Sequence, residues 1–416
     1  MTAWRRLALP FAAVLAQLLA VPLHAQEAPG AESSRQQALY QEALQALAEG
    51  RKQDASEALT RLIEQEPQHA GAWLDLALIQ CGLGKADEAE RLFAHIETRF
   101  NPSRDILELI AETREAGCHR WQPVSSVSVL FGRGMDQNVN QGASTSTLRI
   151  DNGQVIELPL LSDFLPKRDQ YSVMSVDYMR EVTANGSLGF AQLQQRRNDQ
   201  LHDYDTGSLF AGIESPWRFG SWTARTTGML GAVSLGGKFY QRQLQLQAQV
   251  TPPLPLPANT QFSLIGNASH TDYLTLANFN SNLFELRGQL THRRGPLLVT
   301  ATVGASTDHA RDARPGGDRH GSFASVLLKR PLWGDLAGEL GYSRQTWDSA
   351  AAYSPELLIT QVRAQDTQVL RGTLSYRLAR NQTVQLEGRV VRNKENISIF
   401  QYNNRLLQLS WQWQYP

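Results

Sequence analysis

Gln243-Leu244-Gln245-Leu246-Gln247-Ala248-Gln249-Val250 places an apolar residue at every second position and a glutamine at each position between. Successive side chains of a strand point to opposite sides, so this beat of two gives one oily and one wet face. The alternation returns in 370–378 and 384–390. It returns again at the end of the sequence, where Leu407, Leu409, Trp411, Trp413 and Tyr415 share one face and Gln408, Ser410, Gln412 and Gln414 the other. Such segments run about ten to fourteen residues, against about five or six in soluble sheets, and that length crosses a bilayer at a tilt. The region 121–416 therefore reads as a transmembrane antiparallel β-barrel.

About fourteen strands are expected, an even number as bacterial barrels require. They fall at 122–133, 169–182, 186–198, 205–214, 218–232, 237–250, 259–271, 281–293, 296–308, 319–330, 335–347, 366–378, 381–393 and 402–414. The connections offer an independent test, because such barrels alternate short periplasmic turns with longer external loops. Thr183-Ala184-Asn185-Gly186, Ser215-Pro216, Gly295-Pro296, Pro331-Leu332-Trp333-Gly334 and Ala379-Arg380 carry turn formers, and 251–258 is the longer member of that set. The intervening connections 135–168, 308–319, 346–366 and 394–402 are long, and Ser234-Leu235-Gly236-Gly237 is the exception. The wet face carries Arg371, Arg377, Glu387 and Arg389, read as lumen charges of a hydrated interior.

Toward the N-terminus the pattern changes. Arg5 and Arg6 precede an apolar run ending in Pro22-Leu23-His24-Ala25, the layout of a secretory signal peptide over 1–25. No later stretch is long and apolar enough for a spanning helix, so a membrane-embedded chain of this composition must be a closed barrel. Lysine plus arginine equals aspartate plus glutamate at 40 each, so no overall field favours a polyanion, and no nucleic-acid partner is expected.

Residues 26–120 read as a helical domain. Gly50-Arg51-Lys52-Gln53-Asp54-Ala55-Ser56-Glu57-Ala58-Leu59 aligns with the segment beginning at Gly84, and Pro67 and Pro102 close the two units. A period of about 34 with a glycine at the turn and a proline at the end resembles the tetratricopeptide repeat. Trp73, Leu76 and Phe93 carry most of that pattern and are expected to line a groove that takes a protein partner. The alternative is a module that only braces the barrel entrance. Cys81 and Cys118, an even pair in an exported chain, are candidates for a disulfide.

Catalytic patterns are missing. The sequence holds no phosphate loop, no His-Glu-x-x-His and no Gly-x-Ser-x-Gly elbow. The expectation is no enzyme, no cofactor and no metal.

At the start of the barrel, 126–142 runs through Gly134-Met135-Asp136-Gln137-Asn138-Val139-Asn140. This element, following a periplasmic repeat module, resembles the opening strand of the surface lipoprotein assembly modifier (Slam) family. The resemblance implies an outer-membrane translocator of the type XI secretion kind, with its N-terminal domain in the periplasm and a lipoprotein or haemophore-like protein as cargo. It implies partners among outer-membrane lipids and cargo-holding periplasmic chaperones. It also implies a rim or gating role for Asp136, Asn138 and Asn140, beside the plainer reading of an Asx-type turn. The aromatic final strand resembles those read by the barrel assembly machinery, apart from its last residue, Pro416. An exopolysaccharide export porin also joins such repeats to a barrel and stays open as an alternative. Mass spectrometry of the exported protein is expected to find an N-terminus at Gln26, and retention of residues 1–25 would remove the signal-peptide reading.

Overall fold

The computed structural model describes residues 31–118, 123–151, 155–357 and 359–415. The expected leader at 1–25 and Trp121 lie outside them. The chain divides into a helical unit and a strand unit.

The helical unit consists of α1 (Ala31–Ala48), α2 (Lys52–Gln65), α3 (Ala70–Gly82), α4 (Ala86–Arg99) and α5 (Arg104–Ala116). Small residues permit close crossing: Ala46, Ala55, Ala58, Ala72, Ala77 and Ala89 are wholly buried. Leu59, Leu62 and Leu76 join one apolar cluster, and Phe93, Ile96 and Ile110 a second, with Trp73 packed against both. No helix among the described residues is long and apolar enough to cross a membrane.

The strand unit is a closed fourteen-stranded barrel in which each strand pairs antiparallel with its neighbours and the first strand pairs with the last. Its strands are β1 (Ser125–Asp136), β4 (Asp169–Glu181), β5 (Leu188–Asn198), β6 (Thr206–Phe219), β7 (Trp222–Leu235), β8 (Lys238–Thr251), β9 (Thr260–Tyr273), β10 (Ser281–Arg294), β11 (Leu297–Ala310), β12 (Arg319–Trp333), β13 (Leu336–Ser354), β14 (Ile359–Ala379), β15 (Gln382–Glu395) and β16 (Tyr402–Tyr415). All fourteen expected strands are present. A separate hairpin, β2 (Thr147–Asp151) with β3 (Val155–Pro159), stands within the long first connection and was not foreseen.

Three connections differ from expectation. Ser215 and Pro216 do not turn the chain; they pair with Thr226 and Arg225 inside the β6–β7 ladder. The reversal comes at Gly220, whose φ of +62° suits a tight turn that a residue with a Cβ adopts only at a cost. At 331–334 the strand likewise runs on to Trp333, which pairs with Leu336. The 346–366 segment is not an open loop, because β13 and β14 continue to pair as far as Ser354 and Ile359.

Alternation of exposure follows the sequence beat. On β8, Leu244 and Leu246 face outward and are exposed, whereas the glutamines between them face the lumen. A closed sheet of this kind satisfies its backbone internally and offers an apolar exterior, which makes it an outer-membrane type of barrel. An aromatic belt of Trp217, Phe219, Trp222, Trp333, Tyr376 and Tyr415 lies on the outer surface toward the short-turn end. Leu244→Arg, at the centre of β8, is expected to destabilise the barrel by about 2–4 kcal/mol in urea unfolding from lipid vesicles. Gln245→Arg, on the opposite face, is expected to be tolerated.

Candidate functional site

The most elaborate polar construction in the barrel spans the junction of β1 and β16 at the long-loop end. β1 meets β16 from Val127↔Tyr415 to Asp136↔Leu406. Gly132 and Gly134 both face inward, and this pair leaves a notch in the lumen wall. Tyr171 of β4 lies in it: a Cβ at Gly134 would come within 2.5 Å of the tyrosine ring. Its hydroxyl thereby reaches across β1 and donates to Gln408 Oε1 of β16 at 2.9 Å. The Arg196 guanidinium stacks on the same ring at 3.8 Å and donates to Asp136 Oδ2 at 2.9 Å.

The chain leaves β1 through a short run of bonded side chains. The Asn138 N–H donates to Asp136 Oδ1 at 3.0 Å, an Asx-type turn. The Asn138 side chain, 1% exposed, donates to Gly142 O at 2.9 Å and to Asn403 O at 3.0 Å, and accepts from Gly142 N at 2.7 Å. Asn140 donates to Leu165 O at 2.8 Å and accepts from Lys167 N at 2.9 Å, which folds the far end of the first loop back onto its start. In that loop Lys167 holds the Asp163 carboxyl below its ordinary range. Further bonds join this loop to the last hairpin: Ser144 N to Gln401 O at 2.8 Å and Arg149 N to Ser398 Oγ at 3.1 Å.

Elsewhere the inward face carries paired charges. Asp308 accepts from Arg314 at 2.9 Å and from Arg319, drawing the 311–318 loop inward. At the end of that loop the His309 ring and the Ala310 amide hold the Asp318 carboxyl below its ordinary range. Glu395 is clamped by Arg363, whose guanidinium lies over the rings of Phe400 and Tyr353. Arg371 pairs with Glu387 at 2.7 Å and stands opposite Arg389 in the ladder, so Glu387 offsets two like charges. Arg377 lies farther toward the short-turn end of β14 and shows no ion pair among the described residues. No group of three His, Cys, Asp or Glu among the described residues could hold a metal.

In the helical unit Tyr40 of α1 donates to Asp75 of α3 at 2.8 Å, and burial together with that carboxylate pushes its phenol up to about 12. The Trp73 ring packs tilted against that of His95, with centroids 4.3 Å apart, and its N–H donates to Pro67 O at 3.1 Å. A disulfide joins Cys81 to Cys118, tying the end of α3 to the segment after α5.

The tetratricopeptide repeat family matches residues 46–112. A comparison with curated protein sequences finds no match. Among solved structures, OmpT, an outer membrane protein of Vibrio cholerae, is similar at 7% identity and a TM-score of 0.40, over 70% of this chain and 98% of that one. An outer membrane channel from Pseudomonas putida F1 is similar at 11% identity and 0.38, over 70% and 95%. An anion-selective porin from Comamonas acidovorans stands at 9% and 0.38, over 71% and 99%. At these values the likeness carries no functional information.

Within the repeats, the expected groove residues separate. Leu76 and Phe93 are only 3% and 1% exposed and serve the helical core, because the consensus positions of such repeats are the ones that pack helix on helix. Trp73 alone of the three is partly open.

Sequence reasoning had missed Tyr171, Arg196 and Gln408. The signal for them was Gly132-Arg133-Gly134, two inward glycines that invite a neighbouring side chain across the strand. Asn138→Ala is expected to cost about 1–3 kcal/mol by leaving buried backbone groups unpaired. Limited proteolysis reads it as faster cutting within 137–168 while the barrel stays resistant; an unchanged rate would remove the loop-anchoring role.

Proposed function

We propose that the chain is a non-enzymatic outer-membrane translocator that delivers a protein cargo, lipoprotein or haemophore-like, to the cell surface. The observation that carries this reading is the union of a tetratricopeptide-type module with a closed barrel whose inner face is polar. The short-turn end of the barrel is then periplasmic, as is the module, and the long-loop end is external. The Asp136-Asn140 element, which resembles that of the Slam family, adds support as the anchor of the first external loop.

In this mechanism the repeats hold a cargo segment while it is still unfolded, and the barrel passes it outward. The module carries sixteen Asp and Glu against nine Lys and Arg over 31–118, so the segment it holds is expected to be basic rather than acidic. The disulfide and the paired helices keep the capture surface ordered, which limits the entropy lost on binding.

A second reading, export of an exopolysaccharide, has one observation in its favour. Phe190 packs against inward Gly212 and Phe210 against inward Gly231, so aromatic groups lie along the lumen wall as they would to receive sugar rings. The module separates the two readings. Deleting residues 33–116 is expected to abolish surface display of the protein cargo while the barrel remains inserted and heat-modifiable. Unchanged display sinks the capture role, and loss of a capsular glycan with unchanged surface proteins favours the second reading.

A further inference from the structure

The outer surface of β15 and β16 changes character at the same height on both strands. Along β15 the outward positions run Leu386, Gly388, Val390 and then Arg392 and Lys394. Along β16, approached from the other direction, Leu409 and Leu407 give way to Arg405 and Asn403. The register places Arg392 opposite Asn403 and Arg405 opposite Val390, so the two arginines are diagonal neighbours on one face. Arg392, Lys394 and Arg405 are all exposed.

None of the three has an ion-pair partner among the described residues. The carboxylate nearest in register, Asp366 opposite Lys394, is held by both Arg344 Nε at 3.0 Å and Arg344 Nη2 at 2.8 Å. Two other cations of the long-loop rim are satisfied within the protein: Arg133 pairs with Asp199, and Arg311 with Asp272 at 2.8 Å. Three uncompensated cations sitting where the apolar band ends, and aimed away from the lumen, face the headgroup layer of the surrounding lipid.

We infer that Arg392, Lys394 and Arg405 form a binding site for the phosphate of a lipid headgroup in the outer leaflet. A guanidinium pair presents forked donors to phosphate oxygens, and the lysine adds a point charge. Leu386, Val390, Leu407 and Leu409 below them form the wall on which the acyl chains of the same lipid lie. The site adjoins the last hairpin, whose Gln401 and Asn403 carbonyls hold the first loop, so a bound headgroup braces that junction from outside. The inference rests on reading the long-loop end as external, and it is independent of cargo.

The test uses the full-length mature protein in a neutral detergent. Native mass spectrometry titrates an acylated disaccharide lipid bearing two phosphates, the same lipid after dephosphorylation, and inorganic phosphate. The phosphorylated lipid is expected to bind at least about tenfold more tightly than the dephosphorylated one. The triple variant Arg392→Gln, Lys394→Gln, Arg405→Gln is expected to lose that difference while keeping its heat-modifiable fold. The charge-keeping variant Arg392→Lys, Arg405→Lys is expected to retain most of it, which separates lost charge from lost folding. Equal binding of the phosphorylated lipid by the wild-type chain and the triple variant overturns the site. Equal binding of the two lipids, or displacement by inorganic phosphate at comparable concentration, overturns the lipid-phosphate occupant. Cargo display is not read, so failure here leaves the translocator proposal standing, and the module deletion leaves the lipid result intact.

Discussion

A backbone N–H or C=O facing hydrocarbon has no water to bond, so every strand of this unit must find both neighbours within the protein. That requirement is met only if the first strand reaches the last. The β1–β16 ladder does this between residues nearly the whole barrel sequence apart. It also fixes the register: sliding β16 by one residue would turn Gln408, Ser410 and Gln412 into lipid and bring Leu407, Leu409 and Trp411 into the lumen. Closure and side-chain alternation therefore enforce one another, and neither would hold alone.

The inner face obeys a different rule. Its charges are partly withdrawn from water, and a buried charge left alone is far more costly than one that is paired. Asp136 with Arg196, Asp308 with Arg314 and Arg319, and Glu395 with Arg363 each join groups from separate strands or loops. Guanidinium groups also stack on rings, as Arg196 does on Tyr171 and Arg319 on Trp347. Toward the long-loop end the barrel wall is thus a bonded polar lattice. It positions the loops, and Arg196, Arg319 and Arg363 are each held by a carboxylate and a ring together, so their geometry is fixed more tightly than either contact would fix it.

Much of the architecture was written locally. A period of two is a property of neighbouring residues, so fourteen strands could be read from the chain without knowing which strands pair. The repeat over α1 to α4 was legible for the same reason, from glycine, alanine and proline at fixed intervals. What was not legible depended on juxtaposition. Ser215-Pro216 has turn chemistry, but pairing across the barrel extended the strand past it to a glycine better able to reverse the chain. Leu76 and Phe93 matched the repeat pattern, but matching the pattern marks a core position and not a contact surface. Tyr171 and Gln408 are 237 residues apart and meet only because the sheet closes.

The junction of first and last strands is unequally secured along its length. Toward the long-loop end it carries the Tyr171–Gln408 bond, the Asn138–Asn403 bond and the backbone bond from Gln137 to Arg405, besides the loop contacts of Ser144 and Arg149. Toward the short-turn end the side-chain links described are the bond from Gln412 to Ser128 at 2.8 Å and the Phe131–Trp411 stack. Parting two strands must break ladder bonds wherever it begins, but at the long-loop end it must also expose buried asparagine and tyrosine and unseat the first loop. A separation of β1 from β16 would therefore start among the short turns and stop at the asparagine anchor. Under the proposed translocator function, anything crossing the full height of the wall remains inside the cylinder at the long-loop end and meets the paired arginines and carboxylates there.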